Sequence, residues 1–165
     1  MTKRRSLTLR SENGISRILT SPIQIYRANE KQFVEITGLW DTGATGSAIT
    51  KDVVEKLKLI PTGMARVQTA SGPRDMNTYT VDVMLPQANL IKSIVATEVD
   101  NFAGTCDALI GMDIITLGDF SITNHKGQTV MSFRIPSSHE IDYVKSPNYG
   151  VVEIVTLDSD TVTRA

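Results

Sequence analysis

The chain has 165 residues, 41% of them hydrophobic, and its 17 lysines and arginines against 18 aspartates and glutamates give a net charge of -1. This length suits one compact domain. A nearly neutral chain lacks the charge that attracts nucleic acid or an acidic membrane, so we expect neither as a partner. The sequence also lacks an apolar run of membrane-spanning length, and its first 20 residues are too polar for a signal peptide.

The single cysteine, Cys106, excludes an internal disulfide and favours a reducing, cytoplasmic location. Cys106 lies beside an apolar run, which favours a partly buried, inert thiol over a reactive nucleophile. One cysteine and two histidines make a poor set of zinc ligands. We therefore expect no metal and no cofactor.

The first forty residues carry the marks of β-structure. Aliphatic residues alternate with polar ones in short runs that include Leu7, Leu9, Ile23, Ile25, Val34 and Ile36. Asn13-Gly14 is typical of a hairpin turn. We expect this half of the chain to form antiparallel sheet.

Short helices and further strands are predicted beyond residue 50. Thr50 is a candidate N-cap for a helix over 51–59, which buries Val53, Val54 and Leu57 and ends before Pro61. A second short helix is predicted over 107–117, begun by Asp107. Strands are predicted at 64–70, 79–85, 92–99, 120–123 and 130–135, the first two forming one long hairpin.

The domain boundary is predicted at Pro136, after which the chain becomes polar. Residues 1–136 would form the domain and 137–165 an extension. A brief apolar run at 151–155 suits either a strand at a dimer interface or a solvated tail, and both interpretations stay open.

The segment 39–49, Leu-Trp-Asp-Thr-Gly-Ala-Thr-Gly-Ser-Ala-Ile, places an acidic residue directly after a β-run and before small residues. Hydroxyl and backbone hydrogen bonds can hold Asp41 in such a turn, and Gly43 allows close approach of a substrate. An Asx or Ser/Thr turn that merely closes a hairpin fits equally well. Since Asp-Thr-Gly arises by chance in roughly one chain of this length in thirty, the triplet alone is a weak signal.

A second motif strengthens the signal, because two apolar residues, Leu109 and Ile110, precede Gly111 at a suitable distance. Together with residues 41–44 this arrangement resembles retropepsin-like aspartic proteases, above all their bacterial and eukaryotic cellular members, over about residues 23–135. The resemblance implies an all-β, closed acid-protease barrel with one or two short helices, one lobe per chain and a two-fold homodimer.

The resemblance also implies roles for single residues. Asp41 would be the catalytic carboxylate, Thr42 would bond across the dimer axis, and Gly43 would lie along a bound peptide. The residues implied to support this loop are Ala44, Ser47, Leu109, Ile110 and Gly111. Trp40 would be a core aromatic that helps to desolvate the acid.

Two departures from the retroviral pattern occur together. Thr45 stands where those enzymes usually carry an acidic residue, and Met112 where they usually carry its arginine partner. Asp113 is closer to the pattern of the cellular relatives, and we expect it to cap or brace the second helix instead of acting as a second catalytic acid.

Peptide hydrolysis by an aspartic protease needs two carboxyls that share one proton, and these enzymes are the standard example of such a pair. With one Asp-Thr-Gly per chain, a homodimer acting on a protein or peptide substrate is the economical arrangement. The hairpin over 67–83 resembles the family's flap. Its tip would lie at 70–74, including Ala70, Ser71 and Gly72, although a plain surface hairpin fits the same residues.

Two alternatives to a peptidase are considered. A catalytically silent dimer of the same fold could bind extended peptides or serve as a scaffold, although such a protein has no need of Asp41. A weak metal site formed by Asp41, Asp107 and Asp113 is the second alternative, which the absence of a dense acidic loop disfavours.

Overall fold

A computed structural model describes residues 5–69, 72–102 and 104–145. This part of the chain is mostly β-structure with two short α-helices and one 3-10 turn, His125–Gly127. The strands are β1 Arg5–Arg10, β2 Thr20–Arg27, β3 Phe33–Trp40, β4 Ala48–Thr50, β5 Gly63–Thr69, β6 Gly72–Leu85, β7 Asn89–Val99, β8 Ala108–Ile110, β9 Asp119–Thr123 and β10 Val130–Ile135. The α-helices are α1 Lys51–Leu57 and α2 Met112–Ile115.

The larger sheet closes into a barrel of six strands in the order β2-β3-β8-β4-β7-β6, because β6 pairs back with β2. Strand β5 pairs only with β6 among the described strands and projects as a hairpin arm. Alternating side chains of each strand fill the interior, as the period of two predicts. The fully buried members include Ile25, Ile49, Val81, Leu85 and Ile110.

A second, three-stranded sheet has the order β1-β10-β9 and is antiparallel throughout. Its core face carries Leu7, Met131 and Phe133, each 2% exposed. Phe133 and Phe120 contact Trp40, the last residue of β3, with ring centroids 5.3 and 5.6 Å away. This sheet therefore lies directly against the strand that leads into the candidate site.

The predicted fold class is confirmed: the chain is an all-β, closed barrel with two short helices. The strands predicted at 64–70, 92–99, 120–123 and 130–135 begin and end within three residues of those positions, whereas β6 begins at Gly72, seven residues before the predicted start at 79. Helix α1 has Thr50 in the N-cap position, although no side-chain bond caps it. The helix ends at Leu57, two residues earlier than predicted, because Lys58 adopts a left-handed conformation.

Two local predictions are wrong. Asn13-Gly14 does not join two paired strands, because β1 pairs with β10 at the other end of the chain while β2 pairs with β3. Residues 107–110 are not helical, since Ala108–Ile110 is strand β8 and only Met112–Ile115 is helix. In both cases long-range pairing overrides a local signal.

The α-helices of the described residues have seven and four residues. Neither approaches the length and apolar character that crossing a bilayer requires. The apolar run at 151–155 lies outside the described residues.

Candidate active site

The candidate site is the loop 41–47 between β3 and β4. Strand β8 runs parallel to β3 and pairs Leu109 with Leu39, and the Asp41 N–H donates to the Ile110 carbonyl at 3.0 Å. At the far side of the loop the Met112 N–H donates to the Ala44 carbonyl at 2.9 Å. The loop is therefore held at both ends by the segment that carries the second motif.

Asp41 is half-buried at the start of this loop, and the next two residues, Thr42 and Gly43, are exposed. Its Oδ1 accepts a hydrogen bond from the Gly43 N–H at 2.8 Å. The Ala44 N–H lies 3.4 Å from the Asp41 carbonyl. This is an Asx turn, which fixes the carboxylate while leaving it open to solvent and to a substrate.

The backbones of Gly111 and Gly46 approach closely at the back of the loop. A Cβ atom at Gly111 would lie 2.5 Å from both the carbonyl carbon and the carbonyl oxygen of Gly46. No side chain fits between two backbones at that distance. The glycine of the second motif is thus needed for the contact between β8 and the loop.

Ser47 and Asp113 join the loop to helix α2. Ser47 donates to the Asp113 carboxylate through both its backbone N–H, at 3.1 Å, and its Oγ, at 2.8 Å. The same Oγ accepts the Gly111 N–H at 3.1 Å. Gly111, not Asp113, is the N-cap residue of α2. The Asp113 carboxylate therefore ties the helix to the loop, and its Oδ1 also accepts the Ile114 N–H in the first turn of the helix at 3.0 Å.

Thr45 and Met112, the two departures from the retroviral pattern, occupy different environments. Thr45 is exposed on the loop and Met112 is half-buried at the start of α2. None of the ion pairs found in the described ranges involves loop 41–47 or α2. The loop is thus stabilised by hydrogen bonds from backbone N–H groups and the Ser47 hydroxyl, with Asp113 as the carboxylate acceptor.

Trp40 is a buried core aromatic, 5% exposed, directly before Asp41. Its indole N–H donates to the Ser21 Oγ at 2.9 Å. Its backbone N–H donates to the Leu19 carbonyl at 2.8 Å. Ser21 was not identified from the sequence, although a buried indole N–H usually has a hydrogen-bond acceptor.

The hairpin of β5 and β6 has a continuous register that ends with the pair Thr69 and Gly72. Ala70 and Ser71 lie outside the described residues. On one face of the hairpin Ala65, Val67 and Met76 are half-buried. The opposite face carries an exposed ion pair between Arg66 and Asp75 at 3.9 Å. Arg74 pairs with Val67 and so shares the face of the half-buried residues, while Met64, 71% exposed, shares the face of the ion pair. Both faces of the arm therefore carry apolar and charged side chains.

No three His, Cys, Asp or Glu side chains come together as a metal site in residues 5–69, 72–102 and 104–145. Cys106 is a free, half-buried thiol. Burial, followed by the nearby Asp107, raises the pKa of this thiol above its ordinary value. Its environment is that of an unreactive cysteine.

Residues 27–116 match the family model described as "gag-polyprotein putative aspartyl protease". The match covers more than half of the 165 residues. The chain belongs to this family of retropepsin-like aspartic proteases.

Three solved structures are similar to the chain. A retropepsin-like aspartic protease from Rickettsia conorii is 17% identical, with a TM-score of 0.49 over 81% of this chain and 97% of that one. EIAV protease in complex with the inhibitor HBY-793 is 20% identical, with a TM-score of 0.48 over 64% and 90%. The foamy viral protease-reverse transcriptase with an RNA/DNA hybrid is 20% identical, with a TM-score of 0.45 over 59% of this chain and 11% of that one. No curated protein matches the sequence.

Proposed function

We propose that this protein is an aspartic endopeptidase in which Asp41 of two identical chains forms the catalytic dyad. The observation that carries the proposal is the Asp41 carboxylate itself, held by the Gly43 N–H at 2.8 Å in a loop braced by the second motif. A carboxylate in this position, in a member of an aspartic protease family, is suited to activate a water molecule.

The two carboxyls of such a dyad share one proton, because two negative charges at close range cannot both persist. The ionised carboxyl acts as general base toward water, and the protonated one donates to the carbonyl oxygen of the scissile peptide. One chain supplies one such residue. The homodimer is therefore part of the proposed mechanism.

The remaining roles belong to the proposal as well. Thr42 would bond across the dimer axis, and Gly43 would lie along the peptide. The hairpin with its tip at 70–74 would close over the substrate, with the half-buried side chains of Ala65, Val67 and Met76 turned toward it. Residues 1–136 would be the catalytic domain, 137–165 an extension, and the lone cysteine fits a cytoplasmic location.

The test is cleavage of a mixed peptide library by the wild-type protein and by Asp41→Asn, from acidic to neutral pH, with the mass in solution measured for both. Asparagine keeps an oxygen that accepts the Gly43 N–H, so the variant should fold and dimerise normally. We expect cleavage by the wild type and none by the variant. A dimeric wild type that cleaves nothing would leave the silent peptide-binding dimer as the better description.

A further inference from the structure

The three-stranded sheet has an open edge at β1, because β1 pairs only with β10 among the described strands. Such an edge presents a row of N–H and C=O groups to which another strand can add. The cleft beside the end of β1 includes the apolar residues Leu9, Met131, Ile15 and Ile18. Ile15 and Ile18 are 62% and 63% exposed. This edge therefore offers both backbone partners and apolar contacts to an added strand.

Two exposed arginines, Arg5 and Arg10, mark the ends of β1. None of the ion pairs found in residues 5–69, 72–102 and 104–145 includes either of them. Strand β1 itself contains no acidic residue. An added strand with two carboxylates five positions apart would balance both charges, since opposite charges on neighbouring strands attract.

The chain that follows β10 leads toward this edge. Residues 137–138 donate hydrogen bonds to the Asp119 carboxylate on β9. The next residue, His139, contacts Arg134 on β10 at 3.1 Å. Ile141 then lines a cleft that reaches β1. The segment 137–145 thus crosses the sheet from β9 over β10 to β1.

A turn follows directly after this crossing. The Asp142 Oδ1 accepts the N–H groups of Val144 at 2.9 Å and Lys145 at 3.3 Å. Glu153 lies eight positions after Lys145, a stretch of chain that spans at most about 26 Å. Strand β1 has six residues and is about 20 Å long. Residues from 153 onward can therefore reach either end of β1.

The sequence of residues 153–158 matches β1 position by position. Strand β1 reads Arg-Ser-Leu-Thr-Leu-Arg, and residues 153–158 read Glu-Ile-Val-Thr-Leu-Asp. Both segments have charged residues of opposite sign at the first and last positions and apolar residues at the third and fifth. Parallel pairing in this register gives the neighbours Glu153 and Arg5, Ile154 and Ser6, Val155 and Leu7, Thr156 and Thr8, Leu157 and Leu9, and Asp158 and Arg10.

The direction of the pairing follows from the core face of β1. That face carries Leu7, which is 2% exposed, and Leu9, which packs against the core. Parallel pairing puts Val155 and Leu157 on the same face, because residues in register share one face of a sheet. Antiparallel pairing also balances the charges, but it puts Thr156 beside Leu7 and turns Val155 and Leu157 away from the core.

We propose that residues 153–158 add to the edge of β1 of their own chain as a parallel fourth strand of this sheet. Leu157 then lies beside Leu9, at the cleft that Ile15 and Ile18 line. The added strand closes an edge at which other molecules could otherwise pair and aggregate. The proposal involves no catalytic residue, so its failure and the failure of the proposed function are independent.

An exchange of charges tests the register. Arg10→Asp puts two carboxylates side by side at Asp158, and adding Asp158→Arg restores an opposite-charge pair. Hydrogen exchange of the full chain measures the effect at the β1 amides that do not bond to β10. We expect these amides to exchange about two- to fivefold faster in Arg10→Asp and at the wild-type rate in the double variant.

The matched control combines Arg10→Asp with Glu153→Arg. In the parallel register Glu153 is the neighbour of Arg5, so this second change should fail to restore slow exchange. Restoration by Glu153→Arg in place of Asp158→Arg would indicate the antiparallel direction and overturn the proposal. Equal exchange of the β1 amides in wild type and all variants would overturn it as well.

A disulfide tests which chain supplies the strand. Neighbouring strands lie about 4.7 to 4.9 Å apart, a distance that a disulfide can span between Cα atoms. Thr8→Cys with Thr156→Cys should therefore form a bond within one chain on mild oxidation. Ser121→Cys with Thr156→Cys is the matched control on β9, and mass spectrometry of its peptides should show no link between residues 121 and 156.

Two results of the oxidation experiment would overturn the proposal. A covalent dimer linked through residues 8 and 156 would assign the segment to the edge of a second copy. A pair of cysteines that stays reduced would show that residues 153–158 do not occupy this edge. A bond between residues 8 and 156 at the mass of a single chain is the result that the proposal predicts.

Discussion

Ser47 donates two hydrogen bonds to the carboxylate of Asp113, one from its backbone N–H and one from its hydroxyl, and the residues lie 66 positions apart in the chain. Ser47 is 5% exposed, so water does not replace these bonds when they are lost. The pair connects the end of the candidate catalytic loop to helix α2. Its loss should therefore loosen the loop as well as the helix.

Asp113→Asn should lower the free energy of unfolding by about 1 to 3 kcal/mol, because one acceptor oxygen is replaced by an NH2 group that faces a donor of Ser47. Urea unfolding measures the change, and hydrogen exchange should show faster exchange of the Ser47 amide. Asp75→Asn, on the exposed face of the hairpin arm, is the matched control. Unchanged protection of the Ser47 amide in Asp113→Asn would contradict the proposed brace.

Gly111→Ala should destabilise the protein by about 1 to 3 kcal/mol, because the added methyl would meet the backbone of Gly46 at 2.5 Å. Gly46→Ala is the matched control, since a Cβ there would have no atom within 4 Å. We expect the control to change stability by about 0.5 kcal/mol or less. Thermal or urea unfolding of the two variants makes the comparison, and equal effects would refute the close approach.

Asp119 should make the free energy of unfolding depend on pH in the acidic range. Hydrogen bonds from Ser137, Arg134 and the Ser138 N–H hold the pKa of its carboxyl well below the ordinary value. A carboxyl whose pKa is lower in the folded state than in the unfolded state stabilises the folded protein. This contribution is fully present when the pH is above the unfolded-state pKa of about 4, and it is lost as the pH falls toward the folded-state pKa.

The measurement for Asp119 is the urea midpoint at pH 7 and at pH 3. Wild type and Asp75→Asn should both lose stability between these values. Asp119→Asn should start lower at pH 7 and lose less on acidification, because its side chain no longer titrates. An equal loss in all three proteins would show that Asp119 is not among the groups responsible.

Tyr79 should ionise only at high pH. Burial raises the pKa of its hydroxyl to about 12, aided by the hydrogen bond to the Glu98 carboxylate at 2.5 Å. A tyrosine whose pKa is higher in the folded state than in the unfolded state stabilises the folded protein. This contribution is fully present when the pH is below the unfolded-state pKa of about 10, and it is lost as the pH rises toward 12. Absorbance at about 295 nm should show a late tyrosine step that Tyr79→Phe removes and Tyr143→Phe keeps.

Most of the fold could be predicted because its signals are local. The hairpin arm, strands β7, β9 and β10 and helix α1 follow from alternation, turn residues and the N-cap position of Thr50. The pairing of β1 with β10 could not be predicted in this way, since it joins Leu7 to Phe133 across the whole sheet. For Ala108–Ile110 the helix signal was wrong because parallel pairing with β3 determines the conformation.

In the candidate site, too, the local motifs could be predicted and the long-range contacts could not. Asp41-Thr42-Gly43 and the second motif are contiguous in sequence, and the family resemblance identified them. The contacts that join these motifs, between Gly111 and Gly46 or Trp40 and Ser21, depend on which surfaces meet in three dimensions. No spacing rule along a single sequence specifies them.

Because β3 pairs with β8, the loop that carries Asp41 can form only after the later strand has been synthesised. The Asp41 N–H has its partner only when the Ile110 carbonyl is in place, about 70 residues later, and Ser47 must wait for Asp113. A chain that has been synthesised only through the hairpin arm contains Asp41 but lacks the strand and helix that hold its loop. If the proposed function is right, peptidase activity would arise only with the completed barrel, and a nascent chain would be unable to cleave itself or other chains.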